Sequence, residues 1–243
     1  MIDKIASFCG GLKNKTILDV GCDLEGKLVQ QLASLQPKEV IGLNPAVQDQ
    51  ELSPNSRLES GDIRHTGYAD GYFDNIVSVS AFEHIHDLET AIQEMYRLLK
   101  PGGTLYSIFG PIWSGICGHH LWFEYHNQLY NYWNVILPPF CHLLMNSSAL
   151  LKFCQNYFPQ DLSSQIVEYV DGCPDQNRLF YEDYEHLIRS SKFRVLLFRG
   201  YDNPEMNKLY DPFISQNTLN LLYFKYPNHS NFFYIGIEMV LKK

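Results

Sequence analysis

The sequence predicts an α/β fold: one domain built on a doubly wound, mainly parallel sheet, with a long aromatic-rich insertion. Three observations predict it. Short apolar runs of β type alternate with helical patterns between residues 12 and 110, the mark of βαβ units. The first run, Thr16–Val20, meets a turn at Gly21 and then a helical pattern. Doubly wound proteins hold nucleotide-like ligands with such a strand–loop–helix. A chain of 243 residues, 45% apolar and 19% charged, suits a single globular domain spanning 1–243.

In chain order, Ile2, Ile5, Ala6 and Cys9 share one side of a short helix that Gly10-Gly11 ends. Strand 1 is Thr16–Val20. A helix runs from about Glu25 to Gln36, with Leu28, Val29, Leu32 and Leu35 at helical spacing and Pro37 closing it. Strand 2, Glu39–Leu43, ends at Asn44-Pro45. Residues 46–56 are polar with further breakers, so any helix there is degenerate. A short strand 3, Arg57–Ser60, leads to Gly61-Asp62, and strand 4 is Asp74–Ser80. The next helix starts near Asp87, a good N-cap, and carries the stripe Leu88, Ala91, Ile92, Met95 and Leu99. Pro101-Gly102-Gly103 is a stop and turn, and strand 5 is Thr104–Phe109.

The alternation then breaks. Residues 111–176 hold all three tryptophans, Trp113, Trp122 and Trp133, among Pro, Cys and His. Regular patterns resume with a helix at Tyr181–Ser191 and a strand at Phe193–Gly200. A second irregular stretch, about 202–230, precedes a last strand, Phe232–Val240. Long connections in compact domains have functional reasons. The two stretches are expected to form a mostly helical, aromatic-rich lid on the substrate side.

Net charge is −8. No basic stripe of a nucleic-acid binder is visible, so DNA and RNA are disfavoured as partners. No run reaches the length of a membrane span, and the start lacks the apolar segment of a signal peptide. The six scattered cysteines contain no Cys-x-x-Cys pair and read as reduced, buried thiols. A cytoplasmic protein is expected, with a homodimer left open.

Four landmarks carry a resemblance. They are Ile-Leu-Asp-Val-Gly-Cys at 17–22, Val-Ile-Gly-Leu-Asn-Pro at 40–45, Gly-Asp-Ile at 61–63 followed by Phe-Asp-Asn-Ile-Val-Ser-Val-Ser-Ala-Phe-Glu-His-Ile at 73–85, and Arg-Leu-Leu-Lys-Pro-Gly-Gly-Thr-Leu at 97–105. Singly each is weak; their joint order is not. With them the chain resembles a class I S-adenosylmethionine-dependent methyltransferase of the small-molecule type. The likeness covers roughly 12–110, and more loosely the elements near 180–200 and 232–242. It implies a Rossmann-like sheet, S-adenosylmethionine as cofactor and S-adenosylhomocysteine as product. It implies a cofactor site of Asp19, Gly21, Cys22 and Asp23 after strand 1, Asn44 and Pro45 after strand 2, Asp62 and Ile63 after strand 3, and Ser80, Ala81 and Phe82 after strand 4. Gly26 would let the first helix pack on strand 1.

The chain departs from the family in two places. The pattern Asp-x-Gly-x-Gly-x-Gly reads Asp19-Val20-Gly21-Cys22-Asp23-Leu24-Glu25, and the ribose-binding acid is Asn44. Asp tolerates a left-handed backbone, and a carboxylate at position 25 suits a helix start. Asn44 can accept a hydrogen bond but lacks the charged bidentate acceptor.

For catalysis, His84 either belongs to a structural turn or faces the methyl-transfer channel. His119 and His120 either support their loop or act as a general base, since histidine titrates near neutrality. Cys117, His119, His120, His126 and His142 match no structural zinc spacing, so no metal is expected. The expected function is methyl transfer to a small-molecule or sugar-type acceptor, on oxygen or nitrogen rather than carbon. A catalytically altered or inactive methyltransferase-like binding protein is the alternative.

Overall fold

The computed structural model describes residues 1–135, 137–173 and 176–243; Ile136, Pro174 and Asp175, inside the expected insertion, lie outside the described residues. The described chain divides into two compact units. The first comprises residues 1–110, 184–199 and 237–243, and the second 111–183 and 200–236.

The first unit is organised on an eight-stranded sheet. Its strands are β1 (Thr16–Val20), β2 (Glu39–Leu43), β3 (Gln50–Ser53), β4 (Ser56–Glu59), β5 (Phe73–Val79), β6 (Leu99–Phe109), β9 (Arg194–Tyr201) and β10 (Gly236–Lys242), the hairpin strands β7 and β8 of the second unit falling between β6 and β9 in the chain. The spatial order is β3-β4-β2-β1-β5-β6-β10-β9. β4, β2, β1, β5 and β6 are parallel, while β10 runs antiparallel to β6. β1 and β2 have their expected limits, because their apolar runs are buried almost throughout. Parallel strands covered on both faces read as continuous apolar segments. The chain winds outward in both directions from β1 and β5, so the carboxyl ends of these two strands form the topological switch point.

Helix α1 (Ile2–Phe8) packs on β6, and α3 (Leu88–Leu98) begins at Asp87, whose carboxylate accepts from the Thr90 N–H. Helix α2 is shorter than expected, Lys27–Ala33. Gly26 stands outside it at φ +64, a left-handed conformation that glycine adopts without strain. A Cβ at Gly26 would lie 2.7 Å from Leu52 and 2.9 Å from Leu58, so Gly26 makes room for β3 and β4 rather than for β1. The polar stretch after β2 is not a degenerate helix. It contributes β3, an edge strand antiparallel to β4. The Pro-Gly-Gly turn also lies inside β6: pairing with β5 passes from Phe73↔Leu99 to Asn75↔Thr104 across a bulge.

The second unit is more regular than its sequence predicts. It contains the hairpin β7 (Trp122–Tyr125) and β8 (Gln128–Asn131). It also contains α4 (Cys141–Leu144), α5 (Ser147–Cys154), α6 (Gln160–Gly172), α8 (Pro204–Tyr210) and α9 (Gln216–Lys225). Helix α7 (Tyr181–Ser190) begins in this unit and ends in the first. Two apolar clusters organise the second unit, one around Phe140, Tyr210 and Phe232 and one around Leu150, Leu162 and Ile166. Phe232, expected in the last strand, belongs to the first of these, and β10 starts later for that reason.

Candidate functional site

Two cavities meet at the switch point of the first unit. One, of about 510 Å³, is lined by Asp19, Cys22, Asp23, Lys27 and Gln31 among others. The other, of about 420 Å³, is lined by Pro45, Asp62, Ile63, Ala81 and His84 among others. Gly21, Asn44 and Ser80 line both, so the two form one elongated cleft. A larger cavity of about 690 Å³ between α3 and α7 involves none of these residues.

The loop after β1 is held close to the loop after β5. Gly21 sits at φ +77, and a Cβ there would stand 2.3 Å from the Ala81 Cβ. Only glycine permits both the turn and the approach. Ser80 adopts φ +51, an uncommon conformation for a non-glycine residue, while its N–H is fixed on the Ile108 carbonyl at 2.9 Å. Strained backbone of this kind gathers at functional sites.

Asp19, on β1, is 1% exposed, and its Oδ2 has no hydrogen-bond partner. Burial, followed by the nearby charge of Asp23, raises its carboxyl to about 7. Burial likewise pushes the Cys22 thiol up to about 12, so it stays protonated near neutrality and is not a nucleophile. Asp23 turns back on the start of α2, accepting from the backbone N–H groups of Glu25 (3.0 Å) and Lys27 (2.9 Å). In place of glycine, Asp23 thus ties the loop to the first residue of α2, whose N-cap is Gly26. Lys27 pairs with Glu25 at 2.8 Å.

Asn44 is a strut. Its Nδ2 donates to the Cys22 carbonyl at 2.7 Å, and its Oδ1 accepts from the Ala46 N–H at 2.9 Å. A carboxylate could not make the first of these bonds, which explains the amide at this position. Asp62 accepts from the Arg64 backbone N–H (2.9 Å), Nε (3.0 Å) and an Nη (2.5 Å). The Arg64 hydrogen bonds hold its carboxyl below the usual range.

Residues 18–107 match the family described as methyltransferase domain. That stretch of the chain is similar to the class I S-adenosylmethionine-dependent methyltransferases. It is 29% identical over 119 residues to norajmaline N-methyltransferase of Rauvolfia serpentina, an alignment covering 43% of this chain and 41% of that one. It is 32% identical over 111 residues to sterol 24-C-methyltransferase erg-4 of Neurospora crassa, covering 41% of this chain and 29% of that one. The chain thus spans less than half the length of these two curated relatives. A crystal structure of an S-adenosylmethionine-dependent methyltransferase from Mesorhizobium loti superposes with a TM-score of 0.59 at 10% identity, covering 99% of this chain and 96% of that one. At that identity the likeness is one of fold.

The cleft of this methyltransferase domain fits the family's cofactor. S-adenosylmethionine carries an ammonium and a sulfonium, and a buried carboxylate oxygen without a partner is a receptor for a cation. Phe82, expected beside Ser80 and Ala81, is instead fully buried, stacked on Phe109 at 5.3 Å, and lines neither cavity. The single 3-10 turn Phe82–His84 directs Phe82 and Glu83 inward and leaves His84 exposed on the cavity wall.

Glu83, beside His84 after β5, reads from the sequence as part of a structural turn. It is 1% exposed, accepts from the Gly110 N–H at 2.9 Å through Oε1, and leaves Oε2 without a partner. Burial raises its carboxyl to about 8. Arg64 was missed, although it stands two residues after Asp62.

His119 and His120 belong to the second unit. His119 is fully buried; its Nδ1 accepts from the Leu121 N–H at 3.1 Å, and burial lowers its pKa well below 6.5. A histidine so placed is a neutral core residue. His120 is half-buried, with Nδ1 2.7 Å from Gln176 Nε2 and its ring edge-on to Tyr132. Among the described residues no three His, Cys, Asp or Glu side chains are placed to hold a metal ion.

Proposed function

We propose that this chain binds S-adenosylmethionine in the cleft at the carboxyl ends of β1 and β5 and methylates a small-molecule or sugar-type acceptor on oxygen or nitrogen. The observation that carries the reading is the buried, unpartnered Asp19 oxygen lining a cleft at the switch point of a methyltransferase-family domain. When bound, the cofactor supplies a methyl group activated by its sulfonium. The chain's own residues do the rest. Asp19 receives positive charge, Gly21 lets the backbone approach, and Asn44 and Pro45 shape the ribose end. Asp62 and Ile63 flank the adenine end, and Ser80 and Ala81 close the wall between. Catalysis is mainly positioning of the acceptor atom in line with methyl and sulfur.

His84, exposed on the cavity wall, is the favoured general base on the cofactor side. His120, oriented by Gln176, is the favoured base of the second unit, and His119 is assigned to its core. In the second unit the half-exposed Trp122 and Trp133 offer rings for stacking. The net charge of −8 favours such acceptors over nucleic acid. Among the described residues no helix is long and apolar enough to cross a membrane.

A second reading, a binding protein without transferase activity, draws on Asp23 and Asn44, whose polar groups are already engaged within the loops. Calorimetric titration with S-adenosylmethionine and S-adenosylhomocysteine, followed by turnover on a broad acceptor panel, separates the two. Micromolar binding with turnover is expected. Binding without turnover on any acceptor favours the second reading, and no binding at millimolar ligand overturns the first.

A further inference from the structure

The second unit holds a cavity of about 560 Å³ that the methyl-transfer reading does not use. It lies where Asn134–Val135, Leu137–Pro139, the end of α5 with the residues just after it, and Phe213 come together. Val135 and Leu137, almost wholly buried, form its floor and belong to the apolar cluster around Leu150, Leu162 and Ile166. Phe153 and Phe158 are half-buried and pack against the same cluster. Tyr157 and Phe213 line the cavity too, yet are 69% and 59% exposed. They are two of the three most exposed aromatic side chains among the described residues. Exposed rings gathered around an apolar cavity mark a ligand site rather than a closed core.

The lining decides the ligand's chemistry. Among the described residues no acidic or basic side chain lines the cavity. Its one amide, Asn134, is already satisfied: Nδ2 donates to the Leu129 carbonyl at 2.9 Å, and Oδ1 accepts from the Asn131 N–H at 2.9 Å. A charged group entering here would lose hydration and find no partner, whereas apolar surface gains by leaving water. A cavity of about 150 Å³ holds benzene, so this one has room for a chain of about fifteen carbons. We infer that the second unit binds an uncharged hydrocarbon chain, of prenyl or straight aliphatic type, between Phe153, Phe158 and Phe213. The site shares no lining residue with the cofactor cleft, so the inference stands apart from the cofactor reading.

The test titrates the full chain with the uncharged fluorescent probe N-phenyl-1-naphthylamine and then displaces it with farnesol or 1-dodecanol. The wild type is expected to bind the probe at about 10 µM and to release it. Displacement by farnesol alone assigns a prenyl chain, by 1-dodecanol alone a straight one, and by both a site that takes either. Phe213→Asp and Tyr157→Asp each set a charge at the rim. Both positions are exposed, and a thermal melt identifies a variant that fails to fold, the other then serving. Each is expected to weaken the probe about tenfold. Phe224→Asp, at an aromatic 86% exposed and outside the lining, is expected to leave affinity unchanged. Displacement by neither alcohol overturns the inference. So does an equal loss in Phe224→Asp, which marks unspecific surface adsorption, and so does undiminished affinity in the rim variants. Sedimentation at two protein concentrations checks the other occupant. A dimer that the rim variants dissociate makes this face an interface between copies and overturns the inference as well. None of these outcomes touches the cofactor reading, whose own titration is with S-adenosylmethionine.

Discussion

Replacing Asp19 by asparagine separates its charge from its shape. Asp19 is buried, and its carboxyl is raised from an ordinary value of 3.8 to about 7. That rise disfavours the charged form by roughly 4 kcal/mol. A cationic ligand needs the charged form, so its observed affinity follows the ionised fraction of Asp19. That fraction is about one thirtieth at pH 5.5 and about one half at pH 7.0, which gives a gain of about fifteenfold in affinity over the interval. The ligand's own α-ammonium stays charged throughout, with a pKa near 7.7. Asp62, held low by Arg64, adds little slope there. Isothermal titration with S-adenosylmethionine at pH 5.5, 6.2 and 7.0, in two buffers of different ionisation enthalpy, measures both the affinity and the protons released. The wild type is expected to tighten about fifteenfold and to release a proton fraction on binding. Asp19→Asn is expected to bind more weakly at pH 7.0 and to be nearly flat with pH. The stability of the ligand-free protein moves the other way. The folded state holds a proton that the unfolded state has lost between about pH 4 and 7, so stability falls as pH rises through that window, and Asp19→Asn removes this fall. Parallel pH dependences in the two proteins would refute the reasoning.

Other substitutions give equally direct outcomes. Gly21→Ala forces a Cβ to 2.3 Å from that of Ala81 at a φ of +77; a loss of about 2–4 kcal/mol in chemical denaturation, with loss of cofactor binding, is expected. Asn44→Asp restores the family's acid yet sets a carboxylate against the Cys22 carbonyl. It is expected to lower stability by about 1–3 kcal/mol at pH 7.5 and to leave cofactor affinity no better, as thermal melts and titration will measure. Glu83→Gln keeps the acceptor for the Gly110 N–H and is expected to melt within about 3 °C of the wild type at pH 7, whereas Glu83→Ala leaves that N–H unpaired and loses about 2–4 kcal/mol. Because the Glu83 carboxyl is raised to about 8, wild-type stability falls as pH rises from about 5 to 8; the Gln variant is expected to lack that part of the fall in urea denaturation across the same range.

Much of the site was legible because its signals are local. An apolar run that ends at Asp19, a glycine at 21 and a helical stripe beyond it occupy consecutive positions, and side-chain period alone separates strand from helix. The limits of β1 and β2 followed from the same property. Asp87 as a cap and the stripe of α3 did so too. The edge strand β3 was not legible, since its exposed polar residues carry no burial pattern and its pairing depends on β4. The second unit was read as irregular in part because one of its two clusters draws on residues from 111–183 and 200–236 together, a pairing that neither segment shows alone.

The sequence by itself determined the α/β alternation, the place of the cleft after β1 and β5, and most of the residues along its wall. These depend on backbone preference and side-chain period, which are properties of neighbouring positions. Only the tertiary structure decided what those residues can do. Asp19 keeps one carboxyl oxygen unpaired because its surroundings bury it and offer that oxygen no donor. Asn44 is a strut because the Cys22 carbonyl stands opposite its amide. His119 is a core residue because the second unit closes around it. Charge state, hydrogen-bond partner and access to solvent are set by groups distant in the chain, and folding alone brings them together.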